Sequence, residues 1–391
     1  MASNSFGTHF RITTWGESHG KAYGVVIDGC PAGLELTENE ITEALSYRRP
    51  GRNMYTTPRK EADIAHIYSG VFEGKTTGAP ISIIIFNRDN NSDAYAHIRE
   101  LLRPGHATFT YWKKYTNFDP YGGGRASARE TVCRVAAGAI AKKLLYLCGV
   151  ELIAYIRSIN NITSPSYVGY NIDAIRSQIK TSPIFCPYSD TEQEILTLLH
   201  SVKSLGDSVG GIVELFTTNL PIGLGDPIYE KLEANLAKAM LSIPGCKGFE
   251  IGDGFLCAEQ LGSETNDTFD IDSSGDIFLT TNHSGGILGG ITNGMPIYCR
   301  MAFKPTSSIQ KPQDTVNFIE KTSHALQYGT AARHDPCIAI RAVPVVEAMA
   351  ALVLIDALIC NLSTDINHII SQVREPAVSY THLTLPTSDL V

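Results

Sequence analysis

An alanine-rich run from Ala128 to Cys148 is the feature that most limits what this chain can fold into. Small residues in the run allow neighbouring elements to approach the helix axis closely. The run therefore predicts a helix packed at the centre of the protein, and Ser127–Glu130 predicts a capping box at its start. The apolar positions that repeat at helical spacing are Val132, Val135, Ala136, Ala139, Ile140 and Leu144.

The rest of the chain mixes helix and strand signals. A capping box at Thr37 and Glu40 marks one helix start, and Asp226 before Pro227 marks another. No linker-like or repeated segment divides the chain, so we expect one large α+β domain. The predicted elements include helices over 38–47, from 226 onward and over Val345–Ile359, and strands over Val25–Ile27 and Ile81–Phe86.

Charge is distributed unevenly along the chain. The formal net charge is −8, yet residues 48–134 hold 14 Lys and Arg against 8 Asp and Glu. An acidic protein with one basic third is suited to gathering a small polyanion into a cleft and poorly suited to coating nucleic acid. The alternative is a basic segment that is only a solvated charged face.

Cysteine usage and the amino terminus suggest a compartment. The nine Cys are spread singly with no CxxC pair, which favours free thiols in a reducing compartment and no metal site. Residues 1–10 have neither a basic start nor an apolar core, so we expect no secretory or transit signal and a cytoplasmic location. The apolar run Ala348–Ile355 is shorter than the ~20 residues of a membrane span.

Two short segments place a histidine on a turn. Gly16–Gly20 contains His19, and Arg103–His106 places a histidine beside an arginine after a Pro-Gly turn. An accessible imidazole can act as acid or base near neutral pH. The alternative for each is a structural histidine.

The segment Gly122–Glu130 predicts an anion site. Glycines ahead of a helix start expose backbone N–H groups, and Arg125, Arg129 and Arg134 add positive charge that suits phosphate or carboxylate. The segment is not a P-loop, because the Gly-Lys-Ser/Thr ending is absent. The alternative is a glycine-rich turn before a helix that carries arginines.

Three further segments complete the set. Asn282–Gly290 is glycine-rich, Lys304–Ser308 follows a lysine with hydroxyls that can hold a phosphate, and Arg333–Pro336 contains Asp335. Together the six segments suit an anionic substrate and a phosphate-bearing cofactor.

These segments resemble the chorismate synthase family, in order and spacing, over residues 1–377. The resemblance implies a lyase that uses reduced FMN to convert 5-enolpyruvylshikimate 3-phosphate to chorismate and phosphate, by an anti 1,4-elimination in the shikimate pathway of aromatic amino acid biosynthesis. It also implies a homotetramer, with each subunit a sandwich of antiparallel sheets around central helices.

The resemblance assigns roles residue by residue. His19 resembles the group that protonates or pairs with the leaving phosphate, His106 the one that protonates or polarises the reduced flavin, and Asp335 the carboxylate that works with flavin N5 when the C6 proton is removed. Residues that match the flavin contacts are Arg125, Ala126, Ser127, Gly289, Lys304, Pro305, Thr306, Ser307, Ser308 and Arg333. Candidates for binding the substrate anions are Ser18, Arg48, Arg103, Arg129 and Arg134.

The chain departs from the family pattern at several positions. Thr108 stands where the family commonly has Asp, and Met54 replaces an Arg often seen in the basic loop. Whether the enzyme reduces its own flavin with NADPH is left open, although the length favours an external reductant. Residues 378–391 resemble a translated sequencing adapter, and we expect them to be a non-native tail.

Three other functions would leave different traces. A regulatory module that had lost catalysis would lack His19, His106 or Asp335, and all three are present. A nucleic-acid binder would show a basic pI with a known motif. A phosphoester hydrolase would release phosphate without reduced flavin.

Overall fold

Two antiparallel sheets enclose a layer of helices. The computed structural model describes residues 3–51, 61–88, 98–119, 121–166, 172–328 and 335–373. The helices are α1 Glu38–Arg48, α2 Thr108–Tyr115, α3 Thr131–Leu147, α4 Ile172–Thr181, α5 Ser189–Ser204, α6 Leu232–Leu241, α7 Gly262–Thr265, α8 Ala339–Asn361 and α9 Ile366–Val373.

The strands fall into two large sheets and several hairpins. The first sheet has the order β1-β2-β3-β7-β4, and the second has the order β11-β16-β10-β8-β9. The strands are β1 Ser5–Phe6, β2 Arg11–Gly16, β3 Ala22–Asp28, β4 His66–Ser69, β5 Val71–Phe72, β6 Lys75–Thr76, β7 Ile81–Phe86, β8 Glu151–Ile159, β9 Ile162–Thr163, β10 Gly211–Thr218, β11 Cys246–Ile251, β12 Phe269–Ile271, β13 Ile277–Leu279, β14 Ile287–Leu288, β15 Ile291–Thr292, β16 Tyr298–Phe303, β17 Gln313–Asn317 and β18 Thr322–Leu326.

Helices α3 and α8 form the centre of the fold. The inner face of the first sheet packs on α3, and the second sheet packs on α8. The two helices touch at Gly138, where a β-carbon would lie 2.4 Å from Cβ of Ala348. A side chain at this crossing would push the helices apart, so the small residues of α3 are what allow the close approach. The predicted sandwich around central helices is confirmed.

The segment between β1 and β2 is bonded to helix α8. The carboxylate of Asp356 accepts hydrogen bonds from the backbone N–H groups of Thr8, His9 and Phe10, at 2.6–2.9 Å. This contact ties the segment between β1 and β2 to the central helix.

Helix α8 is long and apolar enough to cross a membrane by length and composition alone. Val346, Ala350 and Leu354 are each fully buried in the core between the two sheets. Packing inside the protein therefore accounts for its apolar composition, and we interpret it as a core helix.

Several local predictions are confirmed. The helix predicted over 38–47 runs from Glu38 to Arg48 with the Thr37–Glu40 capping box formed. The strand over Ile81–Phe86 has its predicted bounds, and the strand at Val25–Ile27 extends over Ala22–Asp28.

The capping box predicted at Ser127 and Glu130 is wrong. Two short 3₁₀ turns over 124–126 and 128–130 precede α3, which begins at Thr131. Ser127 caps the second turn instead. The Glu130 carboxylate accepts hydrogen bonds from Thr14 and Arg134, so it is not available to close a capping box.

Two predicted helix starts are also wrong. No helix begins at Asp226-Pro227, because Gly225 and Ile228 have φ of +100° and +69°, and α6 starts only at Leu232. The late helix begins at Ala339 and not after Pro344, which lies within it. Proline is tolerated there at the loss of one helical hydrogen bond.

Candidate active site

The turn Gly122–Gly124 brings both predicted histidines together. A β-carbon at Gly122 would lie 2.4 Å from Nε2 of His19, and one at Gly123 would lie 3.0 Å from Nε2 of His106. Both glycines have positive φ, +59° and +101°, so the backbone conformation also favours glycine. The two imidazoles therefore lie against adjacent residues of one turn.

The loop after β2 is fixed to this turn by Ser18. Its backbone N–H donates to the Gly124 carbonyl at 3.2 Å, and its Oγ donates to the Tyr121 carbonyl at 3.1 Å. Ser18 is buried, whereas the adjacent His19 is half-buried. Ser18 thus holds the loop that carries the histidine.

His106 is surrounded by cations. Its Nδ1 lies 3.1 Å from Oγ1 of Thr108. Burial, with Arg103 and Lys304 nearby, lowers the pKa of His106 to about 3. The imidazole is therefore neutral at physiological pH until a ligand brings negative charge.

The segment Lys304–Ser308 joins two parts of the site. Nζ of Lys304 donates to the Gly105 carbonyl and to Oγ of Ser307, both at 2.6 Å. Thr306 donates to the backbone carbonyl of Asp335 at 2.7 Å. Burial and Lys247 lower the pKa of Lys304. This segment therefore links the turn that carries His106 to the segment that carries Asp335.

Two other residues of Lys304–Ser308 make further contacts. Pro305 packs near Gly210, and Ser308 contacts the hydroxyl of Tyr328.

Asp335 forms an ion pair with Arg341, which no sequence motif indicated. Its carboxylate pairs with Arg341 at 2.9 Å, and Arg341 also donates to the backbone carbonyl of Arg48 at 3.4 Å. The predicted Arg333 lies outside the described residues. Gly289 lies at the exposed turn between β14 and β15, and the structure does not bring it to this cluster.

Two of the predicted substrate-binding arginines share a buried carboxylate. Asp63 lies 3.3 Å from Arg48 and 2.5 Å from Arg129, and all three residues are at most 5% exposed. Glu61 adds a longer contact of 3.9 Å to Arg129. The sequence did not indicate a role for Asp63 or Glu61, because both lie in a segment with an excess of basic residues. In the structure the two carboxylates balance the charge of the buried arginines. The predicted Met54 departure lies outside the described residues.

The two 3₁₀ turns line part of a cleft of about 980 Å³, at Arg125, Ala126 and Glu130. Arg125 and Arg134 line it, held respectively by Thr14 at 2.7 Å and Ser242 at 2.7 Å. A small adjoining cavity is lined by Arg103 and His106 and shares part of the cleft wall. The residues common to both are Tyr111, Phe118, Asp119 and Ala126.

The donor set fits a flavin nucleotide. Lysine, arginine and hydroxyl groups suit a phosphate. The Gly122–Gly124 turn has no β-carbon to fill the space beside the two imidazoles. Aromatic side chains such as Tyr111 and Tyr115, whose rings lie 5.4 Å apart on the cleft wall, suit a planar ring. Within the described ranges no group of three or more His, Cys, Asp or Glu is arranged to hold a metal ion.

The fold and this site define an α+β enzyme of one domain with a basic, glycine-lined site for an anionic ligand. The chain belongs to the chorismate synthase family: the family model for chorismate synthase matches residues 10–359. This is a family of lyases of the shikimate pathway, and its chemistry depends on a flavin. The predicted family, fold class and enzyme class are confirmed.

Similar proteins cover nearly the whole chain. A chorismate synthase from Protochlamydia amoebophila is 55% identical over 371 residues, which are 94% of this chain and 100% of that protein. One from Opitutus terrae is 50% identical over 90% of this chain and 96% of its own. A crystal structure of chorismate synthase is 32% identical, with a TM-score of 0.72 over 94% of this chain and 97% of that chain.

Proposed function

We propose that this chain catalyses the anti 1,4-elimination of phosphate from 5-enolpyruvylshikimate 3-phosphate to give chorismate, with reduced FMN as its flavin. The main support for this proposal is the position of two histidines. His19 and His106, which lie far apart in the sequence, contact adjacent glycines of one turn. Two imidazoles that lie against adjacent residues of one turn suit a reaction in which a leaving group is protonated and charge on a neighbouring ring is stabilised.

The surroundings of each residue suggest its role in the proposed reaction. Bound reduced FMN supplies electron density that helps the C–O bond to the phosphate break. His19 delivers a proton to the leaving phosphate. His106, neutral and half-buried beside Arg103, would donate a hydrogen bond to the flavin ring. Asp335, oriented by Arg341, would accept the C6 proton of the substrate at its carboxylate once the flavin is bound.

The anionic groups are shared between two sets of residues. The proposed flavin set is Arg125, Ala126, Ser127 and Lys304–Ser308. Gly289 and Arg333 belong to it through the family resemblance alone, because the structure places Gly289 away from this cluster and Arg333 lies outside the described residues. Arg103 and Ser18 lie at the histidines and contact the substrate directly. Arg48, Arg129 and Arg134 complete the substrate set. Arg48 and Arg129 are buried and paired with Asp63, so their place in the substrate set is proposed from the family resemblance and not from an open donor in the site.

We also propose that the protein assembles as a homotetramer in the cytoplasm. The hairpin β12–β13 supports assembly, because Phe269, Ile271 and Ile277 are 64–69% exposed on it. The nine cysteines are free, which is consistent with a reducing compartment. Light scattering after size-exclusion chromatography measures the subunit number.

We make two further proposals, on the extent of the catalytic domain and on the reductant of the flavin. Residues 1–377 form the catalytic domain, and 378–391, which lie outside the described residues, are a non-native tail. The flavin is reduced by an external donor, with NADPH used only if the protein has flavin reductase activity. Truncation after residue 377 with full activity retained supports the first, and lack of NADPH oxidation supports the second.

The function is tested by anaerobic phosphate release from 5-enolpyruvylshikimate 3-phosphate. One reaction contains FMN and dithionite, and the matched reaction contains oxidised FMN. We expect phosphate and chorismate to appear together only with reduced FMN. Phosphate release without reduced flavin would overturn the proposal and indicate a phosphoester hydrolase.

A further inference from the structure

The hydroxyl of Thr108 lies between an arginine and a histidine. Thr108 is the first residue of α2 and is 6% exposed. Its Oγ1 accepts a hydrogen bond from Nε of Arg103 at 3.4 Å and lies 3.1 Å from Nδ1 of His106. In the part of the chain that the structure describes, this hydroxyl has no other hydrogen-bond partner.

Proton counting selects one arrangement of these three groups. Arginine can only donate, so one lone pair of the hydroxyl is already used. A hydroxyl has a single proton, and Nδ1 of His106 is the acceptor within reach. If Nδ1 carried a proton instead, the hydroxyl proton of Thr108 would be buried without an acceptor, which is unfavourable. The satisfied arrangement places the proton of the imidazole on Nε2.

The Nε2 edge of His106 faces the glycine turn. A β-carbon at Gly123 would lie 3.0 Å from both Nε2 and Cε1. The charged and titratable groups around the ring are Arg103 on its own turn, Lys304 from the adjoining segment, and Tyr111 and Asp119 across the small cavity. The two cations disfavour a second proton on the ring.

We propose that Thr108 is a positioning residue that holds His106 as the neutral imidazole with its proton on Nε2. The ring then presents an N–H donor, and not a lone pair, on the side that faces Gly123, and it would donate to an electron-rich group of the flavin when the flavin is bound. The catalytic importance of this tautomer rests on the proposed function. The tautomer itself is a property of the protein without ligand.

The test is nitrogen NMR of the full chain with ¹⁵N-labelled histidine at pH 7. The chain has 11 His, and the His106 signals are assigned by their loss in His106→Gln. Long-range ¹⁵N–¹H correlations distinguish the two neutral tautomers and the cation. We expect the Nε2–H form in the wild type and in Thr108→Ser. Thr108→Asp, whose carboxylate only accepts, should move the proton to Nδ1 or give the cation.

A matched control is Thr110→Val, because among the described residues the Thr110 hydroxyl bonds only to the carbonyl of Ala107, the N-cap residue of α2. It should leave the His106 signals unchanged, whereas Thr108→Val should give a mixture of tautomers and lower kcat about tenfold at similar KM. Protonated Nδ1 in the wild type, or an unchanged pattern in Thr108→Asp, would overturn the proposal. The expected tautomer in a chain without turnover would instead contradict the proposed function.

Discussion

Nε2 of His19 lies so close to Gly122 that a β-carbon there would come within 2.4 Å of it. We therefore expect Gly122→Ala to displace the imidazole and lower kcat at least tenfold, measured as anaerobic phosphate release. Gly149→Ala is the matched control, because Gly149 also has positive φ, +78°, but would meet nothing within 4 Å. Both variants should lose ~1 kcal/mol of stability from backbone strain. Equal activity in the two variants would contradict the placement of His19.

Removal of either imidazole should slow turnover strongly. We expect His19→Ala and His106→Ala each to lower kcat by ~10²-fold or more, the scale of lost proton transfer or charge stabilisation. His200→Ala, an exposed change on α5, is the control and should leave the rate unaltered. A near-normal rate in either active-site variant would remove that histidine from the mechanism.

The carboxylate of Asp335 should matter for turnover and not for flavin binding. Asp335→Ala removes the proton acceptor, and we expect normal FMN binding by fluorescence titration with kcat reduced ~10²-fold. Arg341→Met should give a smaller loss, since the carboxylate remains but its 2.9 Å ion pair is gone. Joint loss of flavin binding and turnover in Asp335→Ala would assign the residue a structural role.

Asp63 should contribute more to stability than an exposed acid. Asp63→Asn leaves Arg48 and Arg129 buried without their shared carboxylate, so we expect about 3 kcal/mol less stability in urea denaturation. The control Asp173→Asn breaks a 2.9 Å pair with Arg176 on an acid whose side chain is 74% exposed, and it should change stability by ~0.5 kcal/mol at most. Similar losses in both variants would contradict the idea of a buried counter-ion.

His106 should make the fold sensitive to acid. The unfolded imidazole takes up a proton near pH 6.5, whereas the folded one does so only near its pKa of about 3. Below pH 6.5 the unfolded state therefore binds more protons, so stability falls as the pH is lowered. Between pH 7 and pH 5 we expect the wild type to lose about 2 kcal/mol more than His106→Gln. Parallel unfolding free energies for the two proteins would show that the imidazole is not desolvated.

The parts of the fold that the sequence predicted are those that depend on neighbours along the chain. The small residues of α3 predicted a central helix because helical periodicity and side-chain size are local properties. The capping box at Ser127 and Glu130 failed because Thr14, more than a hundred residues away, binds the Glu130 carboxylate. A side chain with a distant partner follows the tertiary structure and not its local motif.

The site shows the same division. His19 and His106 were identified by their glycine-flanked turns, and the structure places both on Gly122–Gly124. Asp63 and Arg341 escaped notice because nothing next to them in the sequence indicates an ion pair. Gly289 carries a family motif, yet within this chain it lies at an exposed hairpin away from the cluster. Residue type and turn chemistry could be predicted from the sequence, whereas ion pairs between distant segments could not.

The central position of α8 has a consequence for biosynthesis. Both sheets and α3 are translated before this helix, yet each packs against α8 or against a helix that α8 contacts. The strands of both sheets therefore lack part of their packing until α8 has been synthesised, and their apolar faces are open to aggregation during that interval. Asp356 then accepts hydrogen bonds from the segment Thr8–Phe10, which was synthesised long before α8. The core is therefore completed only after α8 has been made, and a ribosome stalled before α8 would carry a chain that depends on chaperones.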